Sequence, residues 1–313
     1  MSKNPQIIGL GEIVVDWAVQ VPHFPQPDEK IDSFHQENFG GGVTANYLVA
    51  TSRLGVDSGF IGAVGQDDYG DFLLKDLETE GVDTRCTYKK KDLKTPINFI
   101  MVASNTGEKV IVQSPYMQYS LDISDLDPDY IASSKLLHTT AIHHELTEAA
   151  IEIAKENNVK ISLDLESQIA IRGWDKLKNI IQSVDILLPN KEGAKSITKS
   201  NSPEEAAKAL IKKGVKCVIM TLGNQGALIT TENDQEIVPS YPVEKVVDTT
   251  GAGDTFNGAF SIGYWINGWD LEKSVKYANA AAALKIKKLG ARTGMPTKKE
   301  LLAFLEENNE SGF

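Results

Sequence analysis

The chain is 313 residues long, 41% hydrophobic and 24% charged, with a formal net charge of −11. That acidity repels nucleic-acid backbones and anionic membranes, yet leaves room for a small anion held locally by backbone N–H groups. Two distant cysteines, Cys86 and Cys217, exclude a disulfide framework and fit a reducing, cytoplasmic setting; the opening MSKNPQ lacks an apolar signal region, and no apolar run reaches the roughly 18 residues of a membrane span.

The length admits one large α/β domain or two smaller ones. QIIGLG (6–11) and EIVVDW (12–17) are β-rich. After a polar, Pro-containing stretch and the glycine run FGGG (39–42), a helix is expected from about Thr44. Its positions Ala45, Leu48, Val49 and Ser52 follow i, i+3, i+4, i+7, and Gly55 closes it. DSGFIGAVG (57–65) predicts a strand and DYGDFLLKDLETEG (68–81) a helix closed by Gly81. TPINFIMVA (95–103) and KVIVQSP (109–115) predict a hairpin around Asn105-Thr106-Gly107.

A β–α rhythm follows: strand KLLHTT (135–140), helix ELTEAAIEIAKEN (145–157), strands VKISLDL (159–165) and DILLPN (185–190). Ser202, Pro203 and Glu205 predict a helix over 203–213 opened by a capping box. VKCVIM (215–220) and GALITT (226–231) read as strands, and Thr297 with Glu300 makes a second box before the last helix. Short apolar strands separated by helices predict an α/β fold with a mostly parallel sheet covered on both faces. Segments 13–38 and 93–114 break the rhythm and are expected to form a small separate sheet, a flap over one edge.

VVDTTGAGDTFNGAF (246–260) packs flexible and acidic residues into the join between an extended run and a helix. Phe256, Ala259, Phe260 and Gly263 have helical spacing, so the helix starts near Ala252–Gly253. N–H groups at such an end lack intrahelical partners, and side-chain-free Gly251 and Gly253 let an anion approach them. The helix dipole adds typically about 0.3–2 kcal/mol for a phosphate there. A carboxylate beside an anion is awkward unless it accepts the proton of an attacking hydroxyl, and Asp254 is placed to do so. For an isolated Asp the plainer reading is a helix cap over a glycine turn. The surrounding Gly-Ala-Gly and threonines weigh against it.

These residues carry a resemblance. DTTGAGDTFNGAF resembles the C-terminal signature of the ribokinase-like (PfkB) carbohydrate kinases, and FGGGVTANYLVATSRLG (39–55) resembles their N-terminal signature. Motif order and spacing are similar from about residue 7 to 300. The resemblance implies a ribokinase-like three-layer sandwich over 1–313 with a small β lid. Asp254 would be the catalytic base, and the N–H groups of Gly251, Ala252 and Gly253 the anion hole for the γ-phosphate. Asp16 would bind sugar hydroxyls, with Gly41, Gly42 and Asn46 lining the same pocket. Thr221, Gly223 and Gly226 in TLGNQG would approach ATP, as would Asn190; Asn279 falls where the family contacts adenine. Asp248 and Thr250, with main-chain oxygens of Lys285, Lys288 and Gly290, fall at the family's monovalent-cation site. ATP, Mg²⁺ and K⁺ are the cofactors so implied, and a homodimer through the lid the implied assembly.

Departures bear on the substrate. Ribokinases proper have a lysine where this chain has Val43, which counts against ribose. The family's N-x-x-E motif reads Asn190-Lys191-Glu192-Gly193 here, so its acidic position is a glycine, and Glu192 is one residue early. The last cation-site hydroxyl is replaced by Gly294. His143 lies near a substrate-contacting position of some members; an exposed histidine beside His144 is the simpler reading. GLGEIV (9–14), GAKS (193–196) and His144-Glu145 fail the dinucleotide, Walker and zinc patterns respectively.

The expected activity is ATP-dependent phosphorylation of a primary hydroxyl on a sugar or sugar derivative. The alternatives are a nucleoside kinase of the same fold, acting on a ribosyl 5′-hydroxyl, and a non-catalytic sugar or nucleotide sensor. No nucleic-acid or membrane partner is expected.

Overall fold

The computed structural model describes residues 4–106, 108–114, 121–310 and 312–313. The first half comprises β1 (Ile7–Leu10), β2 (Val14–Val21), β3 (His35–Gly41), α1 (Val43–Arg53), β4 (Ser58–Gly65), α2 (Asp68–Thr79), β5 (Asp83–Lys90), β6 (Ile97–Ala103), β7 (Lys109–Val112) and α3 (Pro128–Ala132). Then come β8 (Leu136–Thr139), α4 (His144–Glu156), β9 (Lys160–Leu165), α5 (Ser167–Ala170), α6 (Trp174–Ser183), β10 (Ile186–Pro189), α7 (Lys191–Thr198), α8 (Pro203–Lys212) and β11 (Val218–Thr221). The chain finishes with β12 (Ala227–Thr230), β13 (Gln235–Val238), α9 (Ala252–Ser261), α10 (Leu271–Lys285) and α11 (Lys298–Glu307).

Among the described residues the larger sheet has the order β13-β12-β11-β10-β9-β8-β1-β4-β5. Its pairings from β5 to β11 are parallel, and β12 and β13 add antiparallel at one edge. Parallel neighbours need crossovers, and helices supply them, as α4 does between β8 and β9. Strand alternation divides the apolar side chains between two cores. Ile7, Leu136, Ile186, Leu188 and Ile219 join α1, α9, α10 and α11 on one face. Ile8, Leu137, Leu187, Val218 and Met220 join α4, α6 and α8 on the other. Near-continuous apolar strands are what two covered faces require.

The small sheet runs β3-β2-β6-β7 and matches the expected segments, with β3 continuing to Gly41. β6 and β7 pair antiparallel as the expected hairpin does. The expected turn residue Gly107, the last strand residue Pro115 and the opening Met1–Lys3 lie outside the described residues.

Several local expectations need correction. α1 is not simply amphipathic: Thr44 through Thr51 are all buried, because the helix lies between the sheet and α9. Ser202 caps α8 by accepting the Glu205 N–H at 3.2 Å, but the Glu205 carboxylate receives the Asn201 N–H, so the reciprocal box is absent. The Thr297–Glu300 box is complete. β5 and β13 escape the sequence reading because they are half-exposed edge strands with polar residues interspersed.

Candidate active site

Strand order reverses between β8 and β1, and the carboxyl ends of the strands there form the crevice where open α/β sheets bind ligands. Glu12 and Asp16 follow β1, Thr140 follows β8, Asp164 and Glu166 close β9, Asn190 follows β10, and Thr221 ends β11. The helix start at 252 faces the same crevice.

Gly251 adopts a left-handed φ of 78° as N-cap of α9, and a Cβ there would sit 2.4 Å from the Ala291 carbonyl oxygen, so only glycine fits. The Ala252 N–H donates to Thr249 O at 3.1 Å. Ala252 is thus committed to the turn, whereas the N–H groups of Gly251, Gly253 and Asp254 find no acceptor among the described residues. Gly253 is exposed, with nothing near where a Cβ would stand. Its lack of a side chain is not demanded by packing and leaves the N–H groups approachable.

Asp254 is half-buried on this first turn, and Asn46 Nδ2 donates to its Oδ2 at 2.8 Å. Burial pushes its carboxyl up to about 7; the Asn46 bond opposes this, the Glu12 carboxylate adds to it, and Arg292 and Lys285 oppose it. A carboxylate poised near neutrality is suited to taking a hydroxyl proton. Arg292, which the sequence reading missed, holds Asn46 in place. Its Nε donates to Asn46 Oδ1 at 2.8 Å, its Nη2 to Gly41 O at 3.1 Å, and its Nη1 pairs with Asp76.

Asp16 is buried on β2, and Asn98 Nδ2 from the adjoining β6 donates to its Oδ1 at 2.9 Å. Burial raises the Asp16 carboxyl despite Asn98, Arg292 and Lys109. A Cβ on Gly41 would lie 2.3 Å from Asp16 Oδ2, so the glycine makes room for that carboxylate. Gly42 is the N-cap of α1. Asn98 Oδ1, the other end of the amide bonded to Asp16, is buried without a hydrogen-bond partner among the described residues and remains a free acceptor; Asn98 too was missed. His143 is not exposed as expected: it is half-buried at the start of α4, where burial holds its imidazole down at about 4.

A cavity of about 410 Å³ runs from Thr221, Gly223 and Gly226 past Asn279 to Ala252 and Gly253. Val243, Val246, Ala283 and Ile286 give it an apolar wall suited to a flat heteroaromatic base, with the helix start at its end. Asn279 Nδ2 donates to Val238 O and Pro239 O at 3.1 and 3.0 Å, pinning the chain after β13 and leaving the side-chain oxygen for a ligand. Asn190 caps α7, accepting the Gly193 N–H at 2.6 Å, and bridges to Thr221 through the backbone. A Cβ on Gly193 would stand 2.6 Å from Leu165 O, so no acidic side chain fits there without displacing backbone. Glu192 points to solvent and pairs with Lys195 at 3.9 Å.

Acidity arrives instead from β9. Burial raises the carboxyls of Glu12, Asp164 and Glu166, that of Glu166 to about 8, and mutual repulsion with Asp254 raises Asp164 and Glu166 further. Glu12 accepts from Thr140 Oγ1 at 2.9 Å and Asp164 from Asn257 Nδ2 at 2.9 Å. Among the described residues no three acidic, His or Cys side chains converge enough to hold a metal by themselves. Hard oxygen donors with uncompensated charge do fit Mg²⁺, which completes its shell with water and phosphate oxygens.

Asp248 precedes the turn. Its Oδ1 accepts the Thr250 N–H at 2.9 Å and the Thr250 hydroxyl at 2.7 Å, and its Oδ2 accepts the Gly290 N–H at 2.9 Å. Burial opposes ionisation, but these bonds prevail and hold the carboxyl below the usual range. Of the residues expected around a monovalent cation, Asp248, Thr250 and Gly290 are thus joined by hydrogen bonds.

The chain matches the family model described as pfkB family carbohydrate kinase over residues 4–298. It is similar to the ribokinase of Haemophilus influenzae, 30% identical over 305 residues that span 95% of this chain and 97% of that one. Among solved structures, ribokinase from Thermotoga maritima has a TM-score of 0.82 at 29% identity, covering 96% of this chain and 99% of its own. A putative ribokinase II from E. coli, in complex with ATP and Mg²⁺, has a TM-score of 0.83 at 27% identity, covering 97% and 99%. The fold is thus ribokinase-like, as the two signatures implied. From its first strand to the start of its last helix, the chain matches the pfkB carbohydrate kinases, and it belongs to that family.

Proposed function

We propose that this kinase transfers the γ-phosphate of ATP to a primary hydroxyl of a sugar or sugar derivative. The observation that carries this reading is Asp254: a carboxyl raised to about 7, held by Asn46, on the same helical turn as unpaired N–H groups that end the 410 Å³ cavity. ATP in that cavity would lay its base on the apolar wall and its terminal phosphate against Gly251, Gly253 and the Asp254 N–H. The acceptor would lie by Asp16 and Asn98, whose oxygens accept hydrogen bonds from hydroxyl groups. Asp254 removes the proton as the oxygen attacks in line, and the N–H groups stabilise charge gathering on the phosphoryl oxygens. Mg²⁺, which Asp164 and Glu166 would hold, supplies charge neutralisation on the phosphates when bound.

The chain 1–313 is read as one kinase domain whose small sheet acts as a lid, excluding water that would compete as acceptor. Exposed Phe99, Val110 and Val112 on that sheet support a homodimer formed through it. Two buried, unpaired cysteines support a cytoplasmic setting, and no helix among the described residues is long and apolar enough to cross a membrane.

The test is ADP release measured across hexoses, pentoses, sugar acids and nucleosides. One saturating sugar is expected. Saturation by a nucleoside alone transfers the reading to a nucleoside kinase, and ATP binding without turnover on any acceptor favours a sensor.

A further inference from the structure

Lys285 is the last residue of α10 and has no exposed surface, yet it carries an ammonium group. Its Nζ donates to the main-chain oxygen of Asp248 at 2.9 Å. Asp248 opens the turn 248–251 that positions the unpaired N–H groups and Asp254. The same segment is tied to the end of α10 by the Val247 and Asp248 N–H groups, which both donate to Ile286 O, at 2.8 and 3.2 Å. Lys109 of β7 also places its Nζ 2.5 Å from Thr250 Oγ1 and 3.8 Å from Asp248 Oδ1.

A monovalent metal cation does not fit this arrangement. Both carboxylate oxygens of Asp248 already accept N–H or O–H donors. The Lys285 carbonyl accepts the Lys288 N–H at 3.4 Å, and Gly294, which stands against that carbonyl, has no side-chain oxygen to offer as a further ligand. Two ammonium groups then flank the turn, and a third positive charge beside them would be repelled rather than drawn in. Burying an ammonium is costly unless it is paired, so a lysine at this place needs the local negative field that would otherwise attract a metal ion.

We infer that the Lys285 ammonium takes the place of a monovalent metal cation beneath the phosphate-binding turn, so that the enzyme works without K⁺. Lys285 is a positioning residue: it touches neither ATP nor acceptor, and acts by holding Asp248 and hence the N–H groups of the turn. The inference rests on the kinase reading for its catalytic consequence but not for its ion chemistry.

Two measurements test it. In the first, wild-type turnover and Tm are compared in K⁺, Na⁺, Cs⁺ and tetramethylammonium chlorides at constant ionic strength. The expectation is equal turnover within about two-fold and no K⁺-specific rise in Tm; activation by K⁺ above that, or a K⁺-specific Tm rise, overturns the inference. In the second, Lys285→Ala loses about ten-fold or more in kcat, with K⁺ restoring part of the loss and raising the variant's Tm. A folded variant indifferent to K⁺ in both readouts also overturns it. If Lys285→Ala does not fold, the wild-type ion series decides alone. If no acceptor turns over, which counts against the kinase reading, the Tm comparison still decides.

Discussion

Asn46, on the first helix, donates its side-chain amide to Asp254 Oδ2 at 2.8 Å, joining residues 208 positions apart in the chain. Because Arg292 fixes the other end of that amide, the carboxylate is aimed by a chain of two hydrogen bonds. Asp254 therefore has a defined direction as well as a raised pKa.

Asp254→Asn removes the proton acceptor and lowers kcat by at least roughly 10² while ATP binding, followed by calorimetry, stays near the wild-type value. In the wild type the base must be ionised, so kcat/KM rises with pH through about 7 and then levels. Activity of the variant within a few-fold of wild type removes Asp254 from the role.

The same raised pKa has a consequence for stability. A folded carboxyl that titrates near 7 binds its proton more tightly than the unfolded one, near 3.8. Its contribution is fully present below the unfolded value and is lost as pH rises through the folded one. Asp254→Asn should accordingly melt higher than wild type at pH 8, and the gap should close as pH falls towards 4. A constant gap in Tm across that range contradicts the burial argument.

Arg292→Met removes the positive charge that opposes the rise of the Asp254 pKa. The acid limb of kcat/KM should move to higher pH. The variant also leaves Asp76 without its partner, and a stability loss of about 3–5 kcal/mol is expected in urea unfolding. An unmoved acid limb in the folded variant argues that Arg292 is only structural.

Glu166→Gln should raise the Mg²⁺ concentration needed for half-maximal turnover by on the order of ten-fold, and Glu192→Gln should leave it unchanged. Glu166 is half-buried and repelled by Asp254 and Asp164, whereas Glu192 faces solvent. The reverse ranking would return the metal to the residue next to Gly193.

Asp16→Asn keeps the shape of the acceptor pocket but loses charge-assisted hydrogen bonds. The acceptor KM should rise about ten-fold or more, with the ATP KM unchanged. Equal effects on both substrates would place Asp16 outside the acceptor site.

Features written in contiguous residues were legible in the sequence. The left-handed turn at Gly251 has to be glycine, the strands of the parallel sheet have to be apolar on two faces, and the Thr297–Glu300 box closes within one helical turn. Each is a local demand of the backbone, so it leaves a short pattern. Arg292, Asn98, Glu166 and the buried ammonium of Lys285 left none, because nothing in their own segments requires those residue types. Their roles arise where β1, β6, β9, α10 and the 290–292 loop meet around Asp254 and Asp248. Only the tertiary structure decided this, since burial, charge and hydrogen-bond partners there come from segments far apart in the chain.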